Sequence, residues 1–250
     1  MKKLLAVLAA FVAFATIQVA SAQEESRGTP VEFFGCTWQD GKGMADLVSV
    51  GKKFSQWADK QDSKYSAWIL TPQFHTDVGF DVGWLGGWPD GVSMGKSMDA
   101  WLSGGMQLAG EFDAVVDCSS RHELATAIAI HAPDGPGGSG KVMFDGCSKA
   151  DGKSWDDVMA AHAKARKMMR DKGAKASGSW LFFPGIGAAD YDFDYWRVVT
   201  FNNYADFGAT SEAYINGGGY EEGMKLMAGV TECGGGVMFD ATVVRRASGN

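Results

Sequence analysis

Residues 34–44 read FGCTWQDGKGM, and residues 145–155 read DGCSKADGKSW. Both segments place a Gly-Cys pair ahead of Asp-Gly-Lys, at an offset of 111 residues. Further matches are Trp68 with Trp180, Phe80-Asp81 with Phe193-Asp194, AWLSGG from Ala100 with AYINGG from Ala213, and Cys118 with Cys233. The offset grows only from 111 to 115, so these landmarks are collinear. A period above one hundred residues predicts a tandem duplication of a small domain.

The first 22 residues have the composition of a secretory signal peptide. A basic start with Lys2 and Lys3 precedes an apolar run over residues 4–20, and Ala20-Ser21-Ala22 forms a small-residue cleavage site. The run is shorter than the ~20 residues that a membrane span needs. We therefore expect cleavage before Gln23 and a periplasmic or secreted protein without a membrane anchor.

The charge of the chain argues against nucleic acid as a partner. The formal net charge is −7, and removing Lys2 and Lys3 with the signal makes it −9. The remaining basic residues form no run, whereas binding to phosphate backbones needs a concentrated basic surface. The 34 glycines indicate many turns, and the nine tryptophans indicate a large aromatic core or a lined pocket.

The sequence of the first copy of the repeat predicts the order of its strands and helices. Strands are predicted at 31–38, 65–70, 78–85 and 122–131, and helices at 44–59 and 93–102, with a short helical segment at 106–116. The order is β-α-β-β-α-β, and the second copy repeats it from Val142 to Arg246. The predicted domains are 23–132 and 141–247, joined by a Gly/Pro linker at 133–140.

This order is the ferredoxin-like arrangement. Helices cover only one face of such a sheet, so the other face needs a cover, and a second sheet is the natural one. The predicted fold class is therefore α+β, with two tandem ferredoxin-like units packed sheet to sheet as an intramolecular α+β barrel. We expect a monomer that contains an internal pseudo-dimer.

With this element order, the chain resembles the dimeric α+β barrel superfamily, which includes antibiotic-biosynthesis monooxygenases, NIPSNAP-like proteins and haem-degrading enzymes. It is also similar to uncharacterised exported proteins of marine bacteria that carry phrases such as YSAWILTP (65–72) and WLGGWPDG (84–91). The resemblance implies an oxidative enzyme as one possible function. The Asn-Trp-His arrangement of the monooxygenase relatives cannot be placed here, because Asn202 and Asn203 lie in a loop.

The four cysteines fit the predicted topology. In a ferredoxin-like sheet, the end of the first strand lies beside the beginning of the last. This predicts disulfides Cys36–Cys118 and Cys147–Cys233, and an exported protein meets the oxidising conditions that they need. There is no C-x-x-C and no histidine at ligand spacing beside a cysteine, so no metal site is predicted.

Two other motifs suggest ligands but lack the right context. GPGGSGK at 135–141 resembles a phosphate-binding loop, yet a strand follows it where such motifs need a helix. It is predicted to be the linker. His162 resembles the axial histidine of haem-binding relatives, but it shares a helical face with Val158 and Met159. We expect it to pack outside the barrel as a structural residue.

The candidate pocket residues belong to the barrel interior. If the aromatic residues of the third strand face the helices, Asp81 and Asp194 enter the lumen from opposite sides and could act as acid or base. The alternative is that they bond the ends of strands. Trp68, Trp180 and Trp196 are candidates to line the pocket, and His75 lies near one mouth of the barrel.

Three functions remain compatible with these patterns. The first is binding of a small apolar or aromatic molecule between the two sheets. The second is a monooxygenase-like or haem-degrading type of enzyme. The third is a structural or interaction protein with a filled barrel. No Ser-His-Asp arrangement, nucleophile elbow or H-E-x-x-H motif supports hydrolase or metallopeptidase chemistry, and no cofactor is predicted.

Overall fold

The computed structural model describes residues 28–133 and 137–247. The predicted signal peptide and part of the linker therefore lie outside the described residues. The strands are β1 (Thr29–Trp38), β2 (Ser66–Phe74), β3 (Val82–Gly87), β4 (Val116–His131), β5 (Gly140–Lys149), β6 (Gly178–Pro184), β7 (Tyr195–Phe201), β8 (Thr231–Cys233) and β9 (Val237–Arg245). The helices are α1 (Met44–Lys60), α2 (Gly91–Gly104), α3 (Met106–Asp113), α4 (Trp155–Asp171), α5 (Tyr204–Ile215) and α6 (Gly219–Met227). Among these residues, no helix has the length and apolar composition that crossing a membrane requires.

Eight antiparallel strands close into a barrel. The first half contributes the order β4-β1-β3-β2, and the second half contributes β9-β5-β7-β6. Strand β2 pairs with β9, and β4 pairs with β6. The short β8 pairs only with the far end of β5. The two halves therefore join by backbone hydrogen bonds at both edges, which leaves no free edge in the barrel.

Side chains alternate between the lumen and the helices along each strand. In β1, Val31 and Phe33 pack in the lumen, whereas Phe34 packs under the helices of the first half. The buried residues of the lumen cluster are Leu70, Ala127, Val142, Phe182, Val198 and Phe239. The helices cover the outer face of the sheet, so the molecule has a lumen core and two helix–sheet cores.

The repeated Asp-Gly of the opening motif makes the same turn in both halves. Gly41 has a φ of 71° and Gly152 has a φ of 74°. This left-handed conformation is accessible to glycine without the steric cost that a Cβ brings. It turns the chain sharply from the first strand of each half toward its first helix.

The repeated Gly-Cys pair has two separate structural uses. The structure confirms the predicted disulfides, Cys36–Cys118 across 82 residues and Cys147–Cys233 across 86 residues. The glycine beside each first cysteine lets an aromatic ring lie on the strand. A Cβ at Gly146 would stand 2.7 Å from Cδ1 of Phe193.

Replacing Gly146 by alanine is expected to lower the free energy of unfolding by about 1–3 kcal/mol, because the Phe193 ring must shift to avoid the new methyl group. Urea unfolding would measure the change. Gly91→Ala at the start of α2 is the matched control, since a Cβ there meets no atom within 4 Å. Equal stability of the two variants would contradict the prediction.

Some element boundaries differ from those predicted. Strand β4 begins at Val116 and not at residue 122. The corresponding strand of the second half is divided into β8 and β9 by residues 234–236, all glycine. At Gly236 an added Cβ would lie 2.3 Å from Oδ1 of Asp145, so the backbone passes close to a buried carboxylate. The periodicity of the sequence does not predict a close approach of this kind.

Candidate ligand-binding cavities

The two predicted lumen carboxylates do not line the lumen. Asp81 and Asp194 are both exposed. Oδ2 of Asp81 accepts the backbone N–H of Trp38 at 2.9 Å, and Oδ2 of Asp194 accepts that of Lys149 at 2.8 Å. The prediction of an acid–base pair in the barrel is therefore wrong, and the alternative of bonding at the strand ends is right. The regular strands start only at Val82 and Tyr195, so strand alternation does not extend to these residues.

The three predicted tryptophans pack against the lumen cluster but have different surroundings. Trp68 donates from Nε1 to the carbonyl oxygen of Gly138 at 3.1 Å, in the connection between the halves. Trp68 and Trp180 belong to the packed part of the lumen cluster. Trp196 instead lines a cavity. The barrel interior is therefore packed in one part and open in another.

The two predicted histidines are in contrasting places. His75 is exposed, and Nδ1 contacts the carbonyl oxygen of the neighbouring Thr76. It does not line either of the two cavities described below, although Thr76 borders one. His162 is buried in the helix–sheet core of the second half, and its Nε2 lies 2.8 Å from the hydroxyl of Tyr195. The predicted packing of His162 outside the barrel is confirmed.

The first cavity, the mouth cavity, opens from the barrel lumen and has a volume of about 620 Å³. Its aromatic walls are Phe33, Phe80, Phe144, Phe182, Tyr191, Phe193, Trp196 and Phe239. Three side chains form a polar cluster on one wall. Nε of Arg121 donates to Glu123 at 2.8 Å, Nη2 of Arg121 donates to the Tyr191 hydroxyl at 2.6 Å, and this hydroxyl donates to Glu123 at 2.5 Å.

The second cavity lies on the other side of the sheet, under the helices of the first half, and has a volume of about 400 Å³. We call it the helix-covered cavity. Its apolar lining is Phe34, Leu47, Phe54, Trp57, Val82, Trp84, Trp88, Met98, Trp101 and Phe112. No residue of α2 is fully buried, although Met98 and Trp101 pack partly against the core. The helix therefore covers the cavity without filling it.

A hydrogen-bonded network lines one side of the helix-covered cavity. Glu32 is 9% exposed and accepts the Tyr65 hydroxyl at 2.6 Å. Nε1 of Trp84 donates to the same hydroxyl oxygen at 2.8 Å, and Nε2 of the half-exposed His122 lies 3.1 Å from Glu32. Burial, and then the nearby charge of Glu32, raise the pKa of Tyr65 well above its usual value. The hydroxyl therefore stays protonated and holds the carboxylate in place.

One buried polar atom at this cavity lacks a hydrogen-bond partner. Trp88 lines the cavity and is 5% exposed, and its Nε1 has no partner in the part of the chain that the structure describes. A buried donor without an acceptor costs about 1–3 kcal/mol. Nε1 itself has almost no accessible surface, so an acceptor on a bound molecule would recover this free energy if the indole turns toward the cavity.

The two halves differ at the position that decides whether this space is open. Val82 pairs with Cys36 in the sheet register, and Tyr195 pairs with Cys147 in the same way. Both side chains are fully buried on the helix side. The Tyr195 ring extends to His162, with ring centroids 5.7 Å apart, whereas the smaller Val82 lines the cavity.

Arg121 and Glu123 are not among the predicted site residues. Arg121 lies just outside the predicted strand at 122–131, whereas Glu123 lies within it. Strand alternation backward from Ala125 would have placed both on the lumen face. The sequence also shows a small Val82 and a large Tyr195 at matched positions of the repeat, which indicates that the two halves are filled differently.

The closed barrel with its outer helices is an α+β barrel fold that solved structures of other proteins share. Solved structures with this fold include a monooxygenase-like protein of Fusobacterium nucleatum, at 7% identity and a TM-score of 0.57, with 89% of this chain and 95% of that chain covered. An anthrone oxidase-like protein has 11% identity and a TM-score of 0.53, covering 91% and 95%. A mutant chlorite dismutase from Candidatus Nitrospira defluvii has 10% identity and a TM-score of 0.51, covering 86% and 92%. No protein-family model matches the sequence, and no curated protein matches it.

The histidines at these sites do not fit a haem group. Nε2 of His162 is committed to the Tyr195 hydroxyl within a filled core, where Val158 and Leu181 are fully buried. Nε2 of His122 is committed to Glu32, and its ring stacks on Phe34 at 3.8 Å. Neither imidazole presents a free Nε2 to a cavity, so no chemical step is assigned to haem.

Proposed function

We propose that this is an exported protein, built from two duplicated ferredoxin-like units, that binds a small, largely apolar aromatic molecule. We place the ligand in the helix-covered cavity. The observation that carries the proposal is the buried, unpartnered Nε1 of Trp88 in an aromatic cavity of about 400 Å³. That volume lies within the usual range of small-molecule sites.

The lining indicates the chemistry of the ligand. Aromatic rings of Phe54, Trp57 and Trp101 suit a flat apolar body. The Trp88 indole supplies a donor, so the ligand should carry an acceptor such as a carbonyl oxygen. The carboxylate of Glu32 disfavours an anion in the same space. A neutral aromatic ketone combines these properties.

Purification from the periplasm under non-reducing conditions tests the proposal first. Native mass spectrometry is expected to show the mature chain beginning at Gln23 with a co-purifying organic mass. For the purified protein, quenching of tryptophan fluorescence by 2-acetylnaphthalene would then measure binding. Failure of this ketone and of all co-purified material to bind would overturn the proposal.

Replacing Val82 by phenylalanine is expected to weaken binding of 2-acetylnaphthalene about 10- to 100-fold. The added ring would occupy the cavity, and a ligand could enter only at an overpacking cost of ~1–3 kcal/mol. Fluorescence titration measures the affinity, and a thermal unfolding curve confirms that the variant is folded. Unchanged affinity in a folded variant would place the ligand elsewhere.

Trp88→Phe provides a matched second variant, because it keeps an aromatic ring but removes the donor. The variant should bind the ketone about fivefold more weakly while binding 2-ethylnaphthalene as before. Its stability should fall moderately, because Phe leaves part of the buried space of the indole beside Tyr65 empty, but the deleted N–H has no partner in the described residues and adds no further loss. Equal losses for both probes would argue against the indole as the acceptor's partner.

A second candidate is an enzyme that oxidises the bound aromatic molecule. It is favoured by His122 and Glu32, since an imidazole that donates from Nε2 to a carboxylate keeps Nδ1 to accept a proton from a phenolic ligand. Oxygen uptake in the presence of 1-naphthol would reveal such turnover, and His122→Gln should abolish it. Binding without oxygen uptake would leave the protein as a carrier.

The barrel interior remains the other candidate for the ligand's position. The mouth cavity of about 620 Å³ supports binding between the two sheets. Ala125→Phe would place a ring in that cavity and distinguishes it from the helix-covered one. If Ala125→Phe and not Val82→Phe abolishes binding of the ketone, the lumen is the site of the proposed function.

A further inference from the structure

We propose that the mouth cavity is a separate binding site that selects flat organic cations. It would act independently of the neutral ligand in the helix-covered cavity. Three features of the mouth cavity favour a cation: exposed carboxylates without ion-pair partners in the described part of the chain, aromatic rings, and an arginine, Arg121, whose guanidinium is already bonded to Glu123 and Tyr191.

The rim of the mouth cavity has an excess of negative charge. Asp77, Asp192 and Glu232 line it, and all three are exposed. Within the described residues, none of the three forms an ion pair with a basic side chain. Negative charges around a concave, partly apolar surface concentrate the electric field in the cavity, and this field attracts cations.

The buried wall of the cavity cannot reverse this preference. Arg121 donates to Glu123 and to Tyr191, and Glu123 is 8% exposed, so the two charges compensate each other. An anion approaching Arg121 would also approach the buried Glu123 carboxylate. The guanidinium is therefore part of the wall and does not capture a ligand carboxylate.

Aromatic faces supply the second element of cation recognition. Tyr191, Phe193 and Trp196 form one contiguous cluster, with ring centroids 4.3 Å apart for Phe193 and Trp196 and 5.5 Å for Tyr191 and Trp196. Asp192 lies between the first two in the chain. Faces of this kind attract cations, most strongly for tryptophan. The guanidinium of Arg121 already lies near rings of the cavity, 4.9 Å from the Phe33 centroid and 5.9 Å from that of Tyr191. Within the cluster, Trp196 and Phe193 are therefore the rings left for a ligand cation.

Thioflavin T, a flat aromatic cation that fluoresces when immobilised, is the probe. It should bind to the full mature protein at one saturable site, whereas the anion 8-anilinonaphthalene-1-sulfonate should not bind there. Raising the salt from about 0.01 M to about 1 M shortens the screening length from ~30 Å to ~3 Å and should weaken thioflavin T binding.

The decisive variant is Asp192→Asn with Glu232→Gln, which should weaken thioflavin T binding about tenfold. Asp99→Asn with Glu221→Gln is the matched control, because it removes the same charge from exposed helix positions. Ala125→Phe should abolish binding, and Val82→Phe should leave it unchanged. The proposal is overturned if the decisive and control pairs have equal effects, or if Val82→Phe is the variant that abolishes binding.

Discussion

Removing one disulfide is expected to lower the free energy of unfolding by about 4–5 kcal/mol, the largest effect predicted for this protein. The variants are Cys36→Ala with Cys118→Ala, and Cys147→Ala with Cys233→Ala. Each bridge spans more than eighty residues, with sequence separations of 82 and 86. In the chain-entropy model, closing such a long loop removes much of the freedom of the unfolded chain. Urea unfolding under oxidising conditions would measure the change.

Reduction of the unmodified protein provides the control for this experiment. With dithiothreitol, its stability should fall to that of a variant lacking all four cysteines. Cys147 is fully buried, and Cys36 is 2% exposed, so each of the two double variants also removes a packed sulfur atom. A loss below about 1 kcal/mol for either pair would show that the bridge hardly constrains the unfolded chain.

Acidification is expected to destabilise the protein through His162. Burial, and then the positive charge of Arg197, lower the pKa of this imidazole from 6.5 to about 4. Between these two values the unfolded chain binds a proton that the folded chain does not. Stability therefore falls as the pH drops from about 6.5 to about 4, by about 3 kcal/mol from this residue.

The hydrogen bonds around His162 explain why the neutral ring is preferred. The Thr231 hydroxyl donates to the carbonyl oxygen of Ser148 at 2.8 Å, so the Tyr195 hydroxyl, 2.6 Å away, donates to Thr231. His162 then donates from Nε2 to Tyr195 at 2.8 Å. This series of hydrogen bonds uses one imidazole proton and offers no acceptor for a second proton.

The variant His162→Gln tests this account. Urea unfolding of both proteins across about pH 7 to pH 4 would give the difference, which cancels the contribution of surface carboxylates. The variant should be less stable at neutral pH, since it loses packing, but its stability should fall less on acidification. Parallel curves for the two proteins would contradict the assigned pKa.

The repeated segments were sufficient to predict the barrel and the disulfides. Glycine, cysteine and aspartate each have a few characteristic structural roles, such as the left-handed turn at Gly41 and the disulfide from Cys36. Their recurrence at a near-constant offset therefore carries structural information without knowledge of distant contacts. The element order then limited the ways in which the two sheets could be covered.

Only the folded chain shows where cavities remain. Strand alternation places Asp81 in the lumen, but β3 begins one residue later and the Asp81 carboxylate accepts a hydrogen bond from the end of β1. Val82 and Tyr195 occupy matched positions, yet the cavity in the first half depends on how far each side chain reaches across the space between helix and sheet. The space left between helix and sheet depends on the sizes of side chains that are far apart in the chain, so periodicity and spacing do not predict it.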